Sequence, residues 1–71
     1  MENKTGSFIA HRRKELGMTQ RQLAEILGVT NKAVSKWETG QGMPDVGMLP
    51  ELSRALGVTV DEILDGKEVV R

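Results

Sequence analysis

The stretch that decides the fold runs from Thr19 to Gly40: Thr19-Gln-Arg-Gln-Leu-Ala-Glu-Ile-Leu-Gly-Val-Thr-Asn-Lys-Ala-Val-Ser-Lys-Trp-Glu-Thr-Gly40. It reads as helix, tight turn, helix. Thr19 with Gln22 three residues on has the form of a capping box, in which side chain and backbone satisfy each other's orphan amides. Leu23, Ala24 and Leu27 recur at helical spacing on one face. Gly28 supplies the positive φ that a short reversal requires. Val29 is the apolar residue that holds the turn, and Thr30 is a good N-cap for the next helix. Val34 and Trp37, three apart, mark the buried side of that second helix, and Gly40 closes it. Two helices that cross steeply over such a turn need a small residue at the crossing, and Ala24 is small. Each signal alone is weak; the joint spacing of Ala24, Gly28 and Val34, framed by Leu23, Leu27 and Trp37, is strong.

On either side of this unit, the same periodicity brackets three further helices and no strand, which gives an all-α chain with five short helices. The first spans roughly 5–16, with Ile9, Arg13 and Leu16 on one stripe, Phe8 and Arg12 beside it, and Gly17 as its stop. After a looser stretch at 41–45, the fourth spans about 48–56. Its Pro50 is tolerable because it lies in the first turn. Leu49, Leu52 and Leu56 form its stripe. The fifth starts at Thr59, whose partner Glu62 makes a second capping box, and carries Val60, Ile63 and Leu64 up to Gly66. Residues 67–71 carry no readable pattern. Helices this short are unstable alone and must share a core. The expected core is Phe8, Ile9 and Leu16, then Leu23, Ala24, Leu27 and Val29, then Val34 and Trp37, then Leu49, Leu52, Leu56 and Val58, and last Ile63 and Leu64.

Composition bounds the function. The chain has 71 residues, no Cys, one His, and ten basic against ten acidic side chains. One small domain fits this length. The lack of Cys excludes a disulfide scaffold and a Cys-based zinc module. No apolar run exceeds three residues, too short to cross a bilayer, and the polar N-terminus has no secretory core, so a cytoplasmic protein with no membrane partner is the default. Zero net charge argues against a polyanionic partner until the charges are located. Residues 1–42 carry seven basic and four acidic groups, a surplus of +3, and residues 43–71 carry three and six, a balance of −3. Such asymmetry hints at an anionic partner on one side.

These residues resemble the phage repressor and Cro-type helix-turn-helix family of bacterial transcription regulators. The resemblance rests on Ile9, Arg13 and Gly17; Met18-Thr-Gln; Leu23-Ala24; Leu27-Gly28-Val29; Val34-Ser-Lys-Trp-Glu38 with Gly40; Pro44; Leu49 through Leu52; Leu56-Gly57-Val58; and Ile63-Leu64. It covers about residues 5–66. It implies a compact five-helix, repressor-like bundle whose third helix enters the major groove of double-stranded DNA, as a homodimer on two half-sites about one helical turn apart. Residues 1–66 are then the DNA-binding domain and 67–71 a tail at which a linker can begin, with room for a further domain or protein partner. A second reading keeps the fold and gives its face to a protein, as in an antitoxin or adaptor; the uncharged loop at 41–43 and the zero net charge keep it open.

With Val34 turned inward at about 100° per residue, Asn31, Lys32, Ser35, Lys36 and Thr39 fall on the outward face of the third helix. The resemblance implies that its N-terminal part reads base edges. Asn can bond adenine twice and Lys can donate to guanine acceptors, so Asn31, Lys32 and Lys36 are the expected readers, with Ala33 and Ser35 close by. The resemblance also implies that Gln20, at the start of the second helix, grips a phosphate, which suits a positive helix N-terminus; Thr30, Arg21, Thr39 and Gln41 are expected as further backbone contacts. The uncharged loop Gln41-Gly42-Met43 stands where relatives often carry basic residues, which predicts a shallow salt dependence. Arg13 on an apolar stripe is costly unless paired. In the family its position pairs with that of Glu38, tying the first helix to the third; the alternative is Arg13 on a phosphate. Trp37 is expected in the core and His11 in solvent. One His without Cys argues against a metal site, and Ser7, Ser35 and Ser53 have no evident base. The acidic group Asp61, Glu62 and Asp65 suits helix capping. No catalytic constellation, cofactor or metal site is expected.

Overall fold

A computed structural model describes residues 3–67, and all the elements in it are helical. They are α1 (Lys4–Glu15), α2 (Gln20–Leu27), α3 (Asn31–Thr39), a single 3₁₀ turn at Val46–Met48, α4 (Leu49–Leu56) and α5 (Val60–Asp65). The caps explain the boundaries. Thr19 and Thr59 each accept from the backbone N–H three residues on, and Gln22 and Glu62 reach back to the cap N–H, so both capping boxes are complete. Thr30 accepts from the Ala33 N–H at 3.0 Å. Pro50 sits in the first turn of α4, where its missing N–H has no intrahelical partner to lose.

α1 lies against α3 and α5, while α2 packs on α3 and α4, within extents of 32 × 26 × 23 Å. Ile9, Leu23, Val34, Leu52, Leu56 and Ile63 are wholly buried, one or two from each helix, so no helix holds its place without the others. Two polar links tie helix ends across the bundle. Arg12 Nε donates to the Leu56 carbonyl at 2.8 Å, and Thr5 Oγ1 to the Leu64 carbonyl at 3.4 Å.

Two expected core residues lie outside the core. Leu16 is 43% exposed and Leu64 is 51% exposed. α1 ends at Glu15, so Leu16 lies past its last turn, where the chain reverses through Gly17 at φ 73°; Met18, after the reversal, packs against the core instead. In six-residue α5, Ile63 takes the core position, and its neighbour Leu64, about 100° around the helix, must face outward. Val29 and Val58 pack against the core while only partly buried. α1 also begins one residue earlier than its periodicity suggests, because Asn3 caps it by accepting from the Gly6 N–H at 3.1 Å.

Candidate nucleic-acid interface

The site is built on the α2–turn–α3 unit. Gly28 adopts φ 71°, and the Val29 N–H donates back to the Ala24 carbonyl at 3.0 Å, the six-to-one bond that closes a helix through a left-handed residue. The chain thereby reverses within Gly28–Thr30 and starts α3 with Thr30 as its cap. Val34 and Trp37 are buried beneath α3. Asn31, Lys32, Lys36 and Thr39 are exposed, and Ala33 and Ser35 are half-buried at the margin. The structure therefore gathers Asn31, Lys32, Ser35 and Lys36 on one accessible helix face.

What holds that face is the far side of the same helix. Arg13 and Glu38 form a two-pronged ion pair: Arg13 Nε donates to Glu38 Oε2 at 2.7 Å and Nη2 to Oε1 at 2.9 Å. Their side chains are only 9% and 5% exposed. Arg13 Nη1 also donates to the Met18 carbonyl at 2.7 Å. Two charges leave water together here, which is tolerable because each side-chain nitrogen and oxygen of the pair has a partner. Burial alone would push the Glu38 carboxyl up. The hydrogen bonds from Arg13 and Gln20, with the charges of Arg13 and Lys14, outweigh burial and hold it below the usual glutamate value. The hydrogen bond to Glu38 raises Arg13 above its ordinary value, against its own desolvation. Both groups are charged at neutral pH.

The expected phosphate contacts are less uniform. Gln20 Nε2 donates to Glu38 Oε1 at 3.0 Å, so its amide is turned inward and one N–H remains for an outside acceptor. Periodicity carries no sign of this bond, since 18 residues separate the two groups. Thr30 and Gln41 are exposed, but the Thr39 hydroxyl is bent back on α3, donating to the Ser35 carbonyl at 2.9 Å. Arg21 is well exposed, with Nε 3.4 Å from Glu25 one turn on. The Gln41 N–H closes α3 by donating to the Lys36 carbonyl at 2.9 Å. His11 projects into solvent, 3.7 Å from Glu15. Asn3, which no motif or spacing singles out, touches α3: its Nδ2 donates to the Glu38 carbonyl at 3.0 Å.

A helix-turn-helix family model matches residues 9–63. Among curated proteins, the chain is 47% identical over 53 residues to the HTH-type transcriptional activator BcrR of Enterococcus faecalis, covering 75% of this chain and 26% of that protein. It is 39% identical over 61 residues to repressor protein C2 of Salmonella phage P22, covering 86% of this chain and 28% of the repressor. The chain spans 26% to 50% of the length of the first curated relatives it matches. Among solved structures, the P22 c2 repressor crystallised in complex with a synthetic operator superposes with a TM-score of 0.84 at 38% identity, over 89% of this chain and 96% of that one. The glycine turn, the buried underside of α3 and the match over residues 9–63 lead to one conclusion: the chain belongs to the helix-turn-helix family.

Proposed function

We propose that this chain is the DNA-binding part of a transcription regulator, reading double-stranded DNA sequence-specifically with α3 in the major groove. The observation that carries the reading is the arrangement of α3: an accessible Asn–Lys–Ser–Lys face backed by a buried, two-pronged Arg13–Glu38 ion pair. Its likeness to a repressor crystallised on an operator supports it. Asn31, Lys32 and Lys36 read base edges, with Ser35 and Ala33 setting how closely the helix approaches. Gln20, through its remaining N–H and its place at the N-terminus of α2, meets a phosphate together with Thr30, Arg21 and Gln41. Thr39 contributes little, because its hydroxyl proton is already given to Ser35.

One reading helix of nine residues spans few base pairs, so two copies on adjacent half-sites, one helical turn apart, supply the selectivity. Residues 1–66 form the binding domain; of the tail at 67–71, residues 68–71 lie outside the described part. The reading assigns the chain no reaction of its own.

The test is selection of duplexes from a random library at physiological salt, followed by binding of the enriched duplex to the chain carrying Lys32→Ala and Lys36→Ala. Two lost base contacts at about 1–3 kcal/mol each should weaken binding by at least tenfold and relax selectivity at the matching base pairs. Unchanged affinity for the enriched duplex would remove α3 from the groove. Failure to enrich any duplex, with capture of a protein through the same face, would favour the adaptor reading instead.

A further inference from the structure

α3 reaches solvent along its reading face, so something must set its tilt and depth. The Arg13–Glu38 pair does so from one side. A second tether lies at the C-terminal end of α3 and comes from Asn3, six residues before the segment that the family model covers.

The last four carbonyls of any helix have no partner within it. In α3, the Lys36 and Trp37 carbonyls are taken by the Gly40 and Gln41 N–H groups that close the helix. The Glu38 carbonyl is taken by Asn3 Nδ2, 35 residues away in sequence. The same amide's Oδ1 accepts from the Gly6 N–H and so caps α1. One half-buried side chain thus joins the electropositive start of α1 to the electronegative end of α3, the orientation that both helix dipoles favour. The approach is close. A Cβ placed on Gly6 would run into the Trp37 carbonyl, so α1 meets the end of α3 backbone to backbone at that point. Glu38 becomes the common node: its carbonyl is held by Asn3, its carboxylate by Arg13 and Gln20.

We propose that Asn3 is a positioning residue for DNA recognition: by bridging the first turn of α1 and the last turn of α3 it fixes the angle at which the reading face is presented. The proposal rests on the DNA-binding reading above.

The decisive variant is Asn3→Ser. Serine keeps the cap acceptor for Gly6 but has no N–H to reach Glu38, and the net charge is unchanged. Thr59→Ala is the control, since it removes the cap of α5 without touching α3. Affinities are measured for the library-selected duplex and for a scrambled duplex, well below the unfolding temperature of each variant. Amide exchange is followed at Gly40 and Gln41. Asn3→Ser should weaken the selected duplex by about threefold to tenfold, the equivalent of one lost hydrogen bond. It should leave the scrambled duplex and the salt slope alone, and should speed exchange at Gly40 and Gln41. Thr59→Ala should lower the melting temperature and change none of these. Unchanged affinity for the selected duplex, or an equal loss on both duplexes, overturns the proposal. If the unaltered chain selects no duplex, the DNA reading itself falls, and the exchange rates alone decide whether Asn3 holds α3: faster exchange supports the tether and unchanged exchange refutes it.

Discussion

Replacing Glu38 with alanine puts the largest demand on the picture of a bundle tied through one ion pair. The substitution removes two charge-assisted hydrogen bonds to Arg13 and the acceptor of Gln20, and leaves a guanidinium 9% exposed with only the Met18 carbonyl. Breaking a buried pair from one side costs about 3–5 kcal/mol. The retained bond to Met18 and the position of Arg13 at the edge of the core lower this to about 2–4 kcal/mol. In a domain of this size each kcal/mol moves the melting temperature by about 4–8 °C, so a fall of roughly 10–30 °C is expected in thermal denaturation followed by circular dichroism. The double variant Arg13→Met with Glu38→Leu sharpens the test. It removes both charges and fills the space with apolar volume, so it should be more stable than either single variant. The coupling between the two positions should then exceed about 1 kcal/mol in a double-mutant cycle. A loss below about 1 kcal/mol for Glu38→Ala, or additive effects in the cycle, would refute the claim that this pair fastens α3 to α1.

The depressed Glu38 carboxyl gives a pH dependence. The folded state holds its proton less tightly than the unfolded chain, so the contribution is complete above the ordinary glutamate range and disappears as pH falls through the lower folded value; acid titration of stability should show this slope in the unaltered chain and a reduced one in Glu38→Gln. Gly28→Ala meets no neighbour but forces an alanine to φ 71°, so urea unfolding should report a loss of about 1–2 kcal/mol. Gly6→Ala should cost more than Gly28→Ala, because there the new methyl strikes the Trp37 backbone rather than open space. Leu16→Lys and Leu64→Lys should each change stability by less than about 0.5 kcal/mol, against about 2–5 kcal/mol for Leu56→Ala; a large loss at either exposed leucine would show that it belongs to the core.

Whatever depends on neighbours within one helical turn is legible in the amino-acid order. Both capping boxes, the Gly28 reversal, the Thr30 cap and the inward sides of α2, α3 and α4 follow from spacings of three and four residues, because the groups that satisfy one another there are local. So does the face that carries Asn31, Lys32 and Lys36. The pairing of Arg13 with Glu38 comes from family resemblance, since periodicity shows only that a charge on an apolar stripe needs a partner. The remaining features exist only in the packed bundle. Asn3 reaches Glu38 across 35 residues and Gln20 reaches it across 18, distances over which no local rule operates. Leu16 and Leu64 have the right residue type and spacing for a core, yet they are exposed, since burial needs a facing helix as well as an apolar stripe. Where the helices end relative to one another, and hence which orphan carbonyl meets which amide, is settled only when five marginal helices pack together.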